Sequence, residues 1–310
     1  MSEIATLSGI FNILATPFRE DQTLDPDSLK RLVEFQIDKG AYGLTILGVL
    51  GEAAKLSVDE RHQVMDTVMQ TVGGRVPVIV GTSHQDLATC IELSRSAVQA
   101  GAAGVMIAPP RMTSQPTDDE LIALYQRIAD TVGTAIVVQD FPPVNGIMMR
   151  PAMLARLAEQ LPSARILKLE DPPLMEKISA IRARTDHFAI FGGLGGMFLL
   201  EELRRGAAGT MTGFAFTEIL AAVYEAFRAD DLVKAERIFD HYLPLIRYEN
   251  QPVINLTIRK RLLNLRGAMD YPTLRDPFPP IDSGTEDEIL WVLKRVGIDD
   301  PTLKLTFDHF

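Results

Sequence analysis

The chain has 310 residues, 46% of them hydrophobic and 23% charged, the balance of a globular protein with room for a large core. Against 31 basic side chains stand 41 acidic ones, a net charge of −10, which argues against a general binder of nucleic acid or anionic membrane, since both reward a basic face. No stretch approaches about 18 uninterrupted apolar residues, and the start, MSEIATLSGIF, lacks the basic and apolar regions of a signal peptide, so a soluble, cytoplasmic protein is expected. The single cysteine, Cys90, cannot close an intrachain disulfide and, flanked by Leu87 and Ile91, reads as a packed core thiol.

In chain order, β-rich runs recur at GIFNILAT (9–16), GLTILG (43–48), VPVIVGT (76–82), GVMIA (104–108), AIVVQD (135–140), RILKLE (165–170), HFAIFGG (187–193) and GTMTG (209–213). Amphipathic helix patterns separate them. The first sets Leu29, Leu32, Val33 and Ile37 on one face, with Asp25 and Pro26 as cap and first-turn residue and Gly40 as terminator. Two more open with capping boxes, Ser57 to Glu60 and Thr117 to Glu120, and another is expected to begin at Asp171-Pro172, with Asp171 as its cap. Strand and helix alternate without a Pro- or Gly-rich linker, and this many βα units point to a closed (β/α)8 barrel, because doubly wound sheets usually stop at about five or six strands. The predicted organisation is an α/β (β/α)8 TIM barrel over residues 1–215 and a helical extension over 216–310, with helices at 232–246, 253–265 and 286–296.

Active sites of such barrels lie at the carboxyl ends of the strands, which confines the search to GVLGE (48–52), GTSH (81–84), PPRM (109–112), QDFPP (139–143), KLED (168–171), GGLGG (192–196) and TMTG (210–213). Within RILKLED, a period of two sends Ile166, Lys168 and Glu170 to one side and Leu167 and Leu169 to the other. A lysine inside a buried strand calls for a reason. At an ordinary pKa its amine is neutral in only about 4 molecules in 10,000 at pH 7, but burial lowers that pKa and frees an amine able to condense with a ketone. The competing reading is an ion pair with Glu170, which explains the same letters and holds the amine protonated. The five histidines are scattered, with no HxxxH pair or acidic cluster at ligand spacing, so no metal is expected.

At this point the sequence resembles the dihydrodipicolinate synthase and N-acetylneuraminate lyase family of class I aldolases. The residues that carry the likeness are ATPF (15–18), Asp21, LDPDSLKRLVEFQIDKG (24–40), the GxxGE of Gly48, Gly51 and Glu52 with Leu56-Ser57 and Glu60, GGRVPVIVGT (73–82), AGAAGVMIAPP (100–110) and the lysine of the sixth strand. The resemblance implies a (β/α)8 barrel with C-terminal helices, a homotetramer, and Lys168 as the residue that forms a Schiff base with pyruvate or another 2-oxo acid, without a separate cofactor.

Departures from the family pattern are equally informative. The family usually carries two threonines inside GxxGE, the first of which relays protons; Val49 and Leu50 stand there and have no hydroxyl. The fifth-strand Tyr-Asn-x-Pro, whose tyrosine acts as acid and base, is replaced by Gln139-Asp140-Phe141-Pro142, and glutamine transfers no proton at neutral pH. The arginine that follows this motif in dihydrodipicolinate synthases aligns with Val144, and the tyrosine contributed across the subunit interface aligns with Arg111. These changes argue against dihydrodipicolinate synthase itself.

The candidate catalytic residues are Lys168, Gln139, Asp140 and Glu170, the last two as replacement proton carriers. The candidate substrate-binding positions are Gly48, Val49, Leu50, Arg111, Gly192 and Met211. The GGLGG turn offers backbone N–H groups for an anion, with close packing as the alternative. Two functions are carried forward: a Schiff-base lyase of aldolase or dehydratase type acting on a 2-oxo acid or a 2-keto-3-deoxy sugar acid, and a weakly active or inactive binding protein for such acids.

Overall fold

In the computed structural model, which describes residues 7–310, eight short strands close into a barrel. They are β1 (Gly9–Ile13), β2 (Gly43–Ile46), β3 (Val78–Gly81), β4 (Gly104–Ile107), β5 (Ala135–Asp140), β6 (Ile166–Leu169), β7 (Ala189–Gly192) and β8 (Gly209–Thr212). Each pairs in parallel with the next, and β8 returns to β1 through Phe11 opposite Met211. Every run expected from the sequence is present, β5 over the same residues and the others within shorter limits.

The alternation of side chains builds two apolar layers. Outward residues such as Leu44, Val80, Ile107, Val138, Leu167 and Ile190 join the helices in the main core. Inward residues Phe11, Ile79, Met106, Val137, Ile166, Phe191 and Met211 plug the lumen. Phe11 and Phe191 meet edge to face with ring centroids 5.4 Å apart, and a Cβ on Gly43 would collide with the Phe11 ring, so glycine is required where the large side chain crosses the neighbouring strand.

Helix starts follow local chemistry. The side chain of Asp25 accepts from Ser28 N at the head of Pro26–Asp38, and both capping boxes form, Ser57 with Glu60 and Thr117 with Glu120. The sixth barrel helix differs from expectation. It begins at Leu174, because Pro173, in an extended conformation, stands at the cap position, and Asp171 caps nothing. Helix Thr217–Arg228 follows β8 directly and packs on β1, so the segment after residue 216 opens with the eighth barrel helix before the helices Leu232–Glu249, Asn255–Leu265 and Ser283–Arg295. Among the described residues no helix is long and apolar enough to cross a membrane.

The lumen plug is the part of the core that the strands alone enclose. Phe11→Ala is expected to cost about 3–5 kcal/mol of unfolding free energy, as a large cavity in a closed barrel cannot collapse, and chemical denaturation of the variant beside the parent checks it.

Candidate active site

Above the plug, β5 and β6 run in a register that sets Gln139 opposite Lys168. Both face inward, and both are about 96% buried, at 4% exposure each. Lys168 Nζ donates to Glu170 Oε2 at 2.7 Å, and Gln139 Nε2 donates to the same oxygen at 3.1 Å. Glu170 is therefore the hub of the cluster, one carboxylate oxygen receiving two donors. The backbone N–H of Glu170 still bonds to Asp140 O at 2.9 Å, which extends the β5–β6 ladder and fixes the carboxylate over the lumen. The ion pair weighed on the sequence is thus present. A short hydrogen bond between an ammonium and a carboxylate is also a route along which a proton passes.

The next residue on each strand points the other way. Asp140 is fully buried on the outer face of β5, where Lys177 of helix Leu174–Arg182 reaches it at 2.6 Å and reaches Asp171 at 2.6 Å. Burial pushes the Asp140 carboxyl up to about 6, with Lys177 opposing and the charges of Asp171 and Glu170 adding. Asp140 is thereby removed from the lumen, and the expectation that it replaces the proton carrier gives way to a structural role behind the site.

Beside Gln139 opens a cavity of about 510 Å³, whose lining includes Gly48, Val49, Ser83, His84, Arg111 and Asn145. Gln139 is the lining residue that reaches the Lys168–Glu170 pair. A larger cavity, about 650 Å³, lies at the opposite, amino-terminal end of the strands around Arg165 and His187, away from this chemistry.

Of the expected substrate positions, Gly48 and Val49 line the cavity, and so does Arg111, whose guanidinium donates to Val144 O at 2.9 Å. Leu50 is turned against the main core instead. Met211 is fully buried in the lumen plug, so it supports the site from below and does not line the cavity. Gly192 has its open side filled by the Glu202 carboxylate. The rest of GGLGG is filled as well, Gly193 by Glu170, Gly195 by Asn250 and Gly196 by Leu220, and the N–H groups of Gly195 and Gly196 bond to Thr212 Oγ1 and Gly193 O, an arrangement of close packing.

The GxxGE loop is held from behind. Glu52 adopts a left-handed conformation (φ 54°) and its carboxylate accepts from Lys260 Nζ at 2.6 Å and from Arg275 N at 3.0 Å, which ties the loop to the C-terminal helices. Burial lowers the Lys260 ammonium to about 8. Lys177, Lys260 and Glu202 were not singled out from the sequence. The period-two pattern does place Asp140 and Asp171 on the face where a lysine must meet them, but Lys260 lies too far along the chain from Glu52 to be found this way. No group of three His, Cys, Asp or Glu side chains among the described residues is placed to hold a metal ion.

A lysine buried at the carboxyl rim of a (β/α)8 barrel, hydrogen-bonded to a carboxylate and one residue away from an open cavity, defines a class I aldolase-type lyase. The model of the Dihydrodipicolinate synthetase family matches residues 6–296, and the chain belongs to that family. It is 34% identical to the L-2-keto-3-deoxyarabonate dehydratase of Azospirillum brasilense over 293 residues, 93% of this chain and 94% of that protein. It is 31% identical to a 4-hydroxy-tetrahydrodipicolinate synthase of Pelobacter propionicus, over 94% of this chain and 99% of that one. The crystal structure of a dihydrodipicolinate synthase from Rhodopseudomonas palustris superposes with a TM-score of 0.88 at 34% identity, covering 93% and 97% of the two chains.

Removing Lys177 would leave two buried carboxylates facing each other. Lys177→Met is expected to destabilise the protein by about 3–5 kcal/mol. Because Asp140 is raised from 3.8 to about 6, the stability linked to it is complete below about pH 4 and declines as the pH climbs through 6. That decline should steepen in the variant, as thermal unfolding across this range will show.

Proposed function

We propose that this protein is a Schiff-base dehydratase of 2-keto-3-deoxy sugar acids, with Lys168 as the imine-forming residue and Glu170 as the acid and base. The observation that carries the reading is the 2.7 Å contact between Lys168 Nζ and Glu170 Oε2, in a site where the family's tyrosine and threonine positions hold Gln139, Val49 and Leu50. The dehydratase of A. brasilense, at 34% identity, supports the reaction type.

The steps follow from that contact. Lys168 passes its proton to Glu170 and its neutral amine attacks C2 of the substrate; Glu170 returns that proton to the carbinolamine hydroxyl, which leaves as water, so that an iminium and a free Glu170 carboxylate result. The iminium draws electrons from C3, so a C3 proton is removed to Glu170 and an enamine forms. When the enamine electrons return, the C4–O bond breaks and Glu170 delivers a proton to the departing hydroxyl, which leaves as water. Hydrolysis of the unsaturated imine consumes the water released at the first step and restores Lys168. The net change is the loss of one water from the substrate.

Gln139 orients Glu170 by its hydrogen bond and transfers no proton. The substrate carboxylate is assigned to the backbone N–H groups of Val49 and Leu50, which open the turn Val49–Gly51, a role that needs no side chain. Arg111, Ser83 and His84 line the same cavity and would be the polar groups available to the remaining hydroxyls. Val49, 52% exposed, makes the entrance drier than a threonine would.

Reductive trapping with cyanoborohydride, followed by peptide mass spectrometry, tests the reading with pyruvate and with 2-keto-3-deoxypentonates. An adduct on Lys168 is expected and should vanish in Lys168→Ala. Glu170→Gln should still form the adduct while turnover falls about 10²–10⁴-fold, the usual contribution of a positioned acid or base. An adduct without turnover of any sugar acid by the parent protein would move the conclusion to a binding protein on this scaffold, and no adduct at all would refute the Schiff-base reading and favour a binding protein that holds its ligand without a covalent bond.

A further inference from the structure

The cavity beside Gln139 carries more positive charge than the proposed steps use. Its lining holds three side-chain cations, Lys55, Arg61 and Arg111, and one carboxylate, Glu52. Glu52 is already engaged, accepting from Lys260 Nζ at 2.6 Å, Arg275 N at 3.0 Å and Lys55 Nζ at 3.3 Å. That contact also occupies Lys55, whose ammonium lies over the Phe278 ring. The two arginines meet no acid among the described residues. Arg61 is 8% exposed, its Nη2 donates to Ala53 O at 2.7 Å and its Nε has no partner. Burial alone acts on its guanidinium, pulling it below the usual value with no carboxylate to oppose, yet an arginine stays charged in a protein. This surplus is local, in a chain whose net charge is −10.

Arg111 is the cation that the loops present to a ligand. Its backbone is clamped by the Gln85 side chain, which accepts from Arg111 N at 3.1 Å and donates to Arg111 O at 2.8 Å. The loop after β4 is thereby tied to the loop after β3 without help from the guanidinium. That group gives one hydrogen bond, to Val144 O at 2.9 Å on the loop after β5. A guanidinium has five N–H donors, so most of them are left for a ligand. The register sets the distance. Ile107 lies opposite Val138, so Ala108 stands level with Gln139 and Lys168. Arg111 follows three residues later, past Pro109 and Pro110, at most about 9 Å further at the 3.1 Å rise of an extended, proline-rich segment. The carbon chain of a five- or six-carbon acid and the long arginine side chain cover that span between them.

We propose that Arg111 binds a second anionic group at the end of the substrate remote from its 2-oxo acid, so that the preferred substrates are 2-keto-3-deoxy sugar acids ending in a carboxylate or a phosphate. The inference rests on Lys168 being the imine-forming residue. In that reading the first carboxylate is assigned to backbone N–H groups of the turn Val49–Gly51, which leaves both arginines over. A planar guanidinium meets a carboxylate or a phosphate with two parallel hydrogen bonds, a match that a neutral hydroxyl does not offer. Arg61, fixed to Ala53 O on the same lining, adds to the positive potential that draws such a group in.

The test is cyanoborohydride trapping on Lys168 with three acids of equal carbon number: 2-oxohexanoate, 2-oxoadipate and the phosphate monoester of 6-hydroxy-2-oxohexanoate. The half-saturating concentration of each is read on the full chain, its Arg111→Gln variant and its Arg111→Lys variant. In the parent, at least one of the two acids with a second anionic group should half-saturate about tenfold below 2-oxohexanoate, the size of one charge-assisted pair at a partly exposed site. Whichever is favoured identifies the anion as carboxylate or phosphate. The advantage should shrink to about twofold or less in Arg111→Gln and be partly kept in Arg111→Lys, which retains the charge without the planar fork. Because the ratio compares ligands within one protein, a general loss of stability in a variant does not move it. Equal half-saturation by all three acids in the parent overturns the proposal while leaving the Schiff-base reading in place, and so does an advantage that survives Arg111→Gln intact. No adduct with any acid, pyruvate included, overturns the Schiff-base reading itself and this inference with it.

Discussion

The site depends on one contact, the hydrogen bond from Lys168 to Glu170 inside the mouth of the barrel. An isolated ammonium at 4% exposure would be too costly to keep charged, and a lysine kept neutral throughout would have no proton to give. The carboxylate one strand period further on resolves this, because residues two apart on a strand share a face. The same oxygen also receives Gln139 from β5, so the pair cannot turn away from the lumen without breaking a second bond. Low local dielectric then makes the transfer of a single proton between these groups matter more than it would in water.

The neighbouring charges are sorted by the strand alternation. KLED places Lys168 and Glu170 inside and Asp171 beyond the outer face, where it shares Lys177 with Asp140. Burial is the main reason that Asp140 is held above its usual range while lying against a lysine, and the second carboxylate that shares the one ammonium adds to it. The lumen pair is balanced. The C-terminal helices add two further buried pairs, Lys260 with Glu52 and Arg259 with Glu249, each at 2.6 Å, and the first of them anchors the loop that borders the cavity. A buried pair of this kind contributes little to net stability, yet the loss of one partner strands the other, so such pairs hold the loop in one place.

Much of this was legible in the sequence because it is local. Strand period, helix caps at Asp25, Ser57 and Thr117, and the inward direction of Lys168 and Glu170 each depend on a few adjacent residues. The same period, carried across to β5, would have turned Asp140 outward as soon as Gln139 was set opposite Lys168, a register that only the closed barrel supplies. Asp171 misled because Asp before Pro usually caps a helix, whereas a second proline delays this helix to Leu174 and frees the carboxylate for Lys177. Met211 does point inward as the alternation requires, but depth along the barrel, which sequence does not carry, puts it in the plug. Glu202 was hidden because it fills the open side of Gly192, a residue with no side chain to announce what takes its place.

The departures from the family pattern become coherent when taken together. A tyrosine at the Gln139 position would relay protons through a hydroxyl, and that relay needs the threonines that Val49 and Leu50 replace. Losing all of them leaves one group in the lumen able to give and take a proton beside the amine, and Gln139 is bonded to that group. The substitutions therefore do not subtract from a site that is otherwise intact. On the proposed reading they transfer its proton chemistry to Glu170, which the backbone ladder holds on one side and the open face of Gly193 admits on the other. In the proposed dehydratase such a carboxylate would suit elimination, because the proton taken from carbon and the proton given to a departing hydroxyl would both pass through one small group next to the imine.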